Sequence, residues 1–146
     1  MNRTRQVRVG TSGYQYDHWR GVFYPDTLPR EQWLAHYAEH FATVEINNTF
    51  YQLPDAATFR AWRDAVPDGF RFAVKFSRYG SHIKKLKDPH DTIGRFLERA
   101  SLLGNKLGPI LVQLPGKWHV NAERLDAFLE AAPRDQRWTV EFRDAS

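Results

Sequence analysis

The sequence predicts an α/β fold built from parallel (β/α) units, of the kind that forms TIM barrels. Strand-like and helix-like segments alternate along the 146 residues, and this alternation is typical of a parallel sheet with right-handed crossovers. The strands are apolar on one alternating face and partly polar on the other, whereas an open doubly wound sheet should be apolar on both. We therefore predict an incomplete barrel of about five strands and four helices. It forms one partial domain over residues 1–146, with strands 1–5 of an expected 8.

The five predicted strands are short segments rich in β-branched and aromatic residues, which favour strands. They cover residues 7–13, 43–51, 70–77, 108–115 and 137–146. Because side chains alternate across a strand, each apolar set shares one face. The apolar residues predicted to face the helices are Val44, Ile46, Phe72, Val74, Phe76, Ile110, Val112, Leu114, Trp138, Val140 and Phe142.

Four helices are predicted between the strands, over residues 29–41, 55–66, 91–104 and 121–132. The first starts at Pro29, because proline is favoured at the first helical position. Asp55, Asp91 and Asn121 precede the other three apolar patterns and are the expected N-cap residues. These helices would connect consecutive parallel strands.

Composition and length narrow the class of protein. The chain has 42% hydrophobic residues, no cysteine and a formal net charge of +4, which favours anionic partners. No apolar run could span a bilayer, and the N-terminus lacks the apolar segment of a secretory signal. We expect a cytoplasmic protein without a membrane partner. A complete barrel needs at least about 200 residues, so the chain is a fragment or truncated product, an open sheet, or part of an assembly with another chain.

Polar residues gather on the strand face opposite the predicted helices, mostly in the second half of each strand. They are Glu45, Asn47, Lys75, Gln113, Glu141 and Arg143. Active sites of such barrels lie at the C-terminal ends of the strands. Glu45 and Glu141 are candidates for a general acid and base. Lys75 and Arg143, together with Arg78 from the following loop, are suited to bind a phosphate or carboxylate. The two amides would bind substrate. The alternative is a structural network in which these charges pair with one another.

Two loops add candidate binding residues. In the first, Tyr14 and Trp19 could stack on a sugar or base, or the aromatic residues could instead fix the loop to the barrel rim. The third strand and its loop, residues 71–87, carry six basic residues and no acidic one. They could attract an anionic substrate or a nucleic-acid backbone, or simply be solvated. Within that loop, His82 is the histidine best placed to act as an acid, a base or a ligand.

One segment matches the residue spacing of a metal-binding motif but lacks the expected placement of its side chains. The segment HYAEH, residues 36–40, matches the H-x-x-E-H spacing of a class of metalloproteases. His36, Glu39 and His40 nevertheless lie off the apolar stripe of their helix and are expected to face solvent. No metal site is predicted, and the sequence indicates no particular cofactor.

Five segments together resemble a known family. They are GTSGYQYDHWRGVFYP, VEINNTFYQLP, FRFAVKFSRYGSHIKKL, LGNKLGPILVQLP and TVEFRDAS. In this order they are similar to the uncharacterised bacterial and archaeal proteins called domain of unknown function 72, or YecE-like, from about Val7 to the last residue. The resemblance implies a TIM-barrel-like fold in a longer chain, so that the sixth to eighth strands are missing here. The family has no established activity.

Three functions remain open from the sequence. The first is an enzyme, most simply a hydrolase or lyase using acid/base chemistry, that acts on an anionic substrate, phosphorylated or nucleic-acid-like. The second is a nucleic-acid-binding module without catalysis, based on the basic third loop and the aromatic first loop. The third is an inactive truncated fragment that lacks part of its site.

Overall fold

The strands form one parallel sheet whose order follows the sequence. The computed structural model describes residues 6–146. The strands are β1 (Gly10–Ser12), β2 (Thr43–Ile46), β3 (Arg71–Lys75), β4 (Leu107–Gln113) and β5 (Trp138–Glu141). They pair in the order β1-β2-β3-β4-β5, all parallel. A doubly wound sheet reverses its strand order at a switch point, whereas this one does not. The prediction of consecutive barrel-type units is confirmed.

The first two strands are shorter than predicted. Gly10 pairs with Thr43, the first residue of β2, so Val7 and Val9 extend beyond the end of the neighbouring strand. They are 84% and 71% exposed. β2 ends at Ile46, and the residues expected to continue it form a helical turn instead.

The last strand also ends early. β5 stops at Glu141, although the sequence predicted a strand to residue 146. Phe142 is 64% exposed, so its predicted place on the helix-covered face is wrong. The reason is that Phe142 lies where the backbone leaves an edge strand, and Trp138 and Val140 of the same strand are only partly buried.

The helices lie between the strands, largely as predicted. They are α1 (Trp33–His40), α2 (Asn48–Tyr51), α3 (Ala56–Asp64), α4 (Pro89–Ala100) and α5 (Ala122–Ala131). Two predicted N-caps are confirmed. The Asp55 side chain accepts a hydrogen bond from the Thr58 N–H at 2.8 Å, and Asn121 accepts one from the Arg124 N–H at 3.1 Å. Within residues 6–146, every helix is too short or too polar to traverse a bilayer.

The start of α4 differs from the prediction. Asp91 was expected to cap the helix, but α4 already begins at Pro89, a residue suited to the first turn. The Asp91 carboxylate instead accepts a hydrogen bond from Arg95 Nε at 2.9 Å. The N-cap residue of α4 is therefore Asp88, and its side chain makes no capping hydrogen bond.

The hydrophobic core lies between the sheet and the helices. The residues of β2, β3 and β4 that were predicted to face the helices are all buried, and the residues between them are half-buried. Tyr37 of α1 is fully buried and joins two strands, because its hydroxyl accepts from the Thr11 N–H and donates to the Thr43 carbonyl, both at 2.9 Å. The opposite face of the sheet is therefore the one left for a site.

Lys106, just before β4, is a buried lysine that connects β4 to α3. It is 8% exposed, and its ammonium donates to the carbonyls of Arg63 and Val66 at 2.6 and 2.7 Å. The last carbonyls of a helix have no partner within the helix. Lys106 supplies these donors from another part of the chain, so it caps the C-terminal end of α3.

Candidate functional site

The polar side chains at the C-terminal ends of the strands form two groups. One group lies at β1 and β2 and includes Glu45. The other extends from β3 to β5 and includes Lys75, Glu141 and Arg143. Two strands, β3 and β4, lie between β2 and β5. The structure therefore places the two predicted acid/base carboxylates, Glu45 and Glu141, in different groups.

A small pocket of about 150 Å³ lies at the β1–β2 end. The half-buried Glu45 side chain and Asn47 line it. Asn47 Nδ2 donates to Ser12 Oγ at 2.6 Å, and this bond joins the ends of β1 and β2. The other residues that line the pocket are Gly13, Tyr14, Gln15, Tyr16, Ile46, Asn48 and Trp62. Glu45 makes no side-chain ion pair or hydrogen bond within residues 6–146, so its carboxylate is available to a ligand.

Tyr14 borders this pocket as predicted for a binding residue, but it is mostly buried. The side chain is 5% exposed, and its hydroxyl accepts a hydrogen bond from Gln15 Nε2 at 2.9 Å. Burial raises the pKa of the Tyr14 phenol, so the hydroxyl stays protonated and can donate to an acceptor.

Trp19 packs inside the first loop. Its ring centroid lies 4.9 Å from that of Tyr16 and 5.7 Å from that of Phe23. Its carbonyl oxygen also accepts from the Phe23 and Tyr24 N–H groups at 2.8 and 3.0 Å. These contacts fit the interpretation that aromatic residues fix the loop, and Trp19 does not line the Glu45 pocket.

Gln113 and Glu141 are register partners on β4 and β5. Gln113 Nε2 lies 3.1 Å from each carboxylate oxygen of Glu141. The amide thus orients the carboxylate, whose oxygens retain further lone pairs for another donor. The structure brings these two predicted residues together.

The cationic group is organised by an aromatic ring that the sequence did not single out for the site. Lys75 Nζ lies 4.6 Å from the centroid of Phe50, a favourable cation–π distance. The His82 ring meets Phe50 edge-on, with centroids 5.0 Å apart. Phe50 can do this because α2 turns the chain back over the end of β3, a turn that the sequence predicted as strand.

The charges around His82 are of one sign. Burial lowers the pKa of His82, and the positive charges of Arg143, Arg78 and Lys75 lower it further. These three residues come from β3, its loop and the segment after β5. The three predicted cations are thus each within electrostatic reach of His82. We call Lys75, Arg78, His82 and Arg143 the cationic cluster.

The positive charges of the cationic cluster are not neutralised by neighbouring carboxylates. The ion pairs within residues 6–146 involve none of Lys75, Arg78 and Arg143. Neither Glu45 nor Glu141 takes part in one. The closed ion-pair network that was the structural alternative is therefore absent from this part of the chain.

The loop after β3 has an unusual backbone. It forms a single π-helical turn over Tyr79–Ile83, and three non-glycine residues with positive φ follow: Lys85 (49°), Leu86 (65°) and Asp88 (48°). Left-handed conformations cost free energy for such residues, and both features occur often at functional sites.

The loop after β3 has fewer unpaired positive charges than its sequence indicated. Lys84 Nζ forms an ion pair with the carboxylate of Asp88 at 2.9 Å, one residue beyond the segment that contains no acidic residue. Lys84 lowers the pKa of Asp88. Lys85 and Lys87 remain exposed and outside the ion pairs found in the described residues.

The HYAEH helix does not gather metal ligands. His36 is half-buried rather than solvated, with Nε2 3.1 Å from the Phe23 carbonyl oxygen, and His40 Nδ1 lies 3.0 Å from the His36 carbonyl oxygen. Among residues 6–146, no three His, Asp or Glu side chains are placed to hold a metal ion together.

Sequence relatives agree on one family. The family model described as protein of unknown function DUF72 matches residues 8–146. The UPF0759 protein YecE of Escherichia coli is 34% identical over 119 residues, which cover 75% of this chain and 41% of that protein. The UPF0759 protein YunF of Bacillus subtilis is 27% identical over 115 residues, 75% of this chain and 40% of that protein. The chain thus spans about two fifths of the length of the curated relatives it matches.

Solved structures give the same result. A DUF72 family protein from Thermotoga maritima superposes with a TM-score of 0.75 at 31% identity, over 94% of this chain and 56% of that one. A DUF72 family protein from Enterococcus faecalis gives 0.65 at 28% identity, over 75% of this chain and 47% of that one. The match extends over nearly all of the described sheet and agrees with five units of an incomplete TIM-barrel-like fold. The chain therefore belongs to the DUF72 family of proteins of unknown function.

Proposed function

We propose that the cationic cluster binds the phosphate or carboxylate group of a small anionic substrate. One observation carries the proposal: three cations act electrostatically on His82, and none of them has a carboxylate partner within residues 6–146. Like charges brought together repel one another, and an anionic ligand would remove this repulsion. A planar guanidinium such as that of Arg143 can bind phosphate through two parallel hydrogen bonds.

The chemistry assigned to the site is acid/base catalysis of a hydrolase or lyase type. Glu141 is the carboxylate nearer in the sheet to the cations, and Gln113 orients it. Glu45 serves the separate pocket beside Tyr14 and Asn47. Because the chain spans only part of its relatives' length, the function that we propose for this chain by itself is anion binding.

A titration with inorganic phosphate tests the anion site. The double variant Lys75→Met and Arg143→Met removes two charges while keeping long apolar stems. Its dissociation constant should rise about tenfold or more, since charged hydrogen bonds are worth about 1.5 kcal/mol or more each before screening. Lys87→Met removes an exposed charge outside the cluster and should change the constant less than about twofold. Equal affinities in all three proteins would overturn the proposal and favour the inactive fragment.

Nucleic-acid binding is the second candidate function, favoured by the exposed Lys85 and Lys87. It predicts that an oligonucleotide binds with strong salt dependence. It also predicts that replacing Lys84, Lys85 and Lys87 together with alanine weakens this binding and leaves phosphate affinity unchanged. An oligonucleotide affinity that the triple replacement leaves unaltered would dismiss this function.

A further inference from the structure

We propose that Nε2 of His82 is the proton acceptor of the anion site, acting on a hydroxyl group or water held next to the bound anion. The inference deepens the proposed function and rests on it. It adds a base that lies among the cations themselves, whereas Glu45 belongs to another pocket and Glu141 is engaged by Gln113. Three features of the structure support it.

The first feature is the tautomer of the ring, which follows from a chain of hydrogen bonds. The fully buried Ser81 hydroxyl donates its only proton to the Ser77 carbonyl at 3.0 Å. His82 Nδ1 lies 2.8 Å from the same hydroxyl oxygen. With the hydroxyl proton directed to the Ser77 carbonyl, that oxygen has no second proton to give, and we assign the donor role in this contact to Nδ1. This assignment places the proton of neutral His82 on Nδ1 and the lone pair on Nε2.

The second feature is the charge environment, which keeps the imidazole neutral. Lys75, Arg78 and Arg143 are the charged groups that act on His82, and together with burial they lower its pKa. A neutral ring at neutral pH is a requirement for a general base. The Phe50 ring, edge-on at 5.0 Å, restricts the orientation of the imidazole without adding a competing donor.

The third feature is the backbone that carries the histidine. His82 lies in the π-helical turn Tyr79–Ile83, followed by the left-handed residues Lys85, Leu86 and Asp88. The turn holds Ser81 Oγ on the Ser77 carbonyl and His82 Nδ1 on Ser81 Oγ, close to the end of β3. The unfavourable conformations of the left-handed residues are consistent with a loop that positions a functional side chain.

The proton transfer is balanced within the site. The O–H bond of the ligand hydroxyl or water breaks, its oxygen keeps the electron pair, and an N–H bond forms at Nε2. The resulting imidazolium would be unfavourable among three cations, but the bound anion offsets their charge. The substrate class is therefore a phosphorylated or carboxylated molecule that either has an ionisable hydroxyl or is attacked by water. Binding of the anion is coupled to proton uptake by His82.

Nitrogen-15 NMR of the histidine side chains tests the assignment, with inorganic phosphate as the probe. In the free protein His82 should be protonated at Nδ1, and its pKa should rise when phosphate is added. Ser81→Ala removes the acceptor and should shift the tautomer toward Nε2–H while the protein keeps its fold. His90→Gln, on the exposed surface of α4, is the matched control for His82→Gln. Only the His82 variant should abolish proton uptake on phosphate binding, measured by calorimetry in buffers of different ionisation enthalpy.

Each result has a distinct meaning. An Nε2–H tautomer in the free wild-type protein overturns the assignment of His82, whatever phosphate does. Phosphate that binds without raising the His82 pKa overturns it as well. Phosphate that perturbs no signal of the cationic cluster overturns the anion site itself. The two failures are distinguishable because the tautomer is determined before any phosphate is added.

Discussion

The loops after β1 and β3 are both ordered, but by opposite means. The first loop is fixed by side chains: Tyr24 is 1% exposed, stacks on Trp33 with centroids 4.4 Å apart, and donates its hydroxyl to the Tyr14 carbonyl at 2.7 Å. Its positive φ angles fall on glycines, at Gly13 and Gly21. The loop after β3 is fixed by its backbone, with a π-helical turn and every non-glycine positive φ found in residues 6–146.

Of the two loops, the one after β3 is built to position a reactive group. Aromatic packing within the first loop and against α1 stabilises this loop without unfavourable backbone conformations at non-glycine residues. The loop after β3 accepts unfavourable backbone conformations and holds a histidine among unpaired cations. Strain of this kind persists only where surrounding contacts enforce it. Substitutions in each loop test this contrast, and those that affect packing should cost the most stability.

Alanine at two glycines should give the largest contrast. A Cβ at Gly80 would lie 2.3 and 2.5 Å from ring atoms of Phe76, a fully buried residue. We expect Gly80→Ala to lower the free energy of unfolding by about 2–3 kcal/mol. A Cβ at Gly13 would meet the hydroxyl end of the exposed Tyr16 side chain, which can move aside into solvent, so Gly13→Ala should cost mainly the left-handed conformation, about 1–2 kcal/mol. Urea denaturation measures both, and a larger loss for Gly13→Ala would contradict the contrast.

Removing one buried hydroxyl should weaken the first loop. Tyr24→Phe leaves the Tyr14 carbonyl without its donor, which should cost about 1–2 kcal/mol of unfolding free energy. Tyr16→Phe is the control, because its hydroxyl bonds to Ser12 at an exposed position and should matter by less than about 0.5 kcal/mol. Equal effects on the denaturation midpoints would show that the Tyr24 hydroxyl does not hold this loop.

Relieving backbone strain should affect only the loop after β3. Lys85 has a positive φ and Lys87 does not, and both are exposed lysines. Lys85→Gly removes the left-handed penalty, whereas Lys87→Gly only adds backbone freedom to the unfolded chain. The first variant should be more stable than the second by about 1 kcal/mol. Indistinguishable stabilities would mean that the positive φ at Lys85 carries no strain.

The smallest effects should be on pH dependence, with opposite signs for the two loops. Burial raises the pKa of Tyr14 and Tyr24, so the unfolded chain loses these protons first. Stability should fall as pH rises above about 10. The pKa of His82 is lowered, so the unfolded chain takes up its proton first, and stability should fall as pH drops below about 6.5. Denaturation at several pH values should show Tyr24→Phe reducing only the alkaline loss and His82→Gln only the acid loss.

The fold could be predicted from the sequence because the patterns that indicate strands and helices are local and repeated along the chain. Alternating faces in β2, β3 and β4, together with the caps Asp55 and Asn121, indicated five parallel strands and the helices between them. Strand ends were less accessible, since they depend on the partner strand. Val7 and Val9 are good strand residues that have no strand beside them, and β2 ends where Asn47 turns into α2.

For the site, the sequence could predict only which types of residue lie at the strand ends. The sequence indicated Lys75, Arg78, His82 and Arg143, but their grouping without carboxylate partners depends on three-dimensional distances. Phe50 and Ser81 were missed as site residues. Phe50 was assigned to a strand, and the role of Ser81 depends on a π-helical turn, for which the sequence has no recognisable periodic signal.

The capping ammonium of Lys106 has a consequence for chemical labelling. Lysine-directed reagents need a free amine in water, but Lys106 is 8% exposed and its amine donates to the carbonyls of Arg63, in the last turn of α3, and Val66, just beyond it. It can react only when α3 and the start of β4 separate. Of the six lysines in the sequence, Lys106 should be labelled late, and the rate of its labelling reports how often that contact opens.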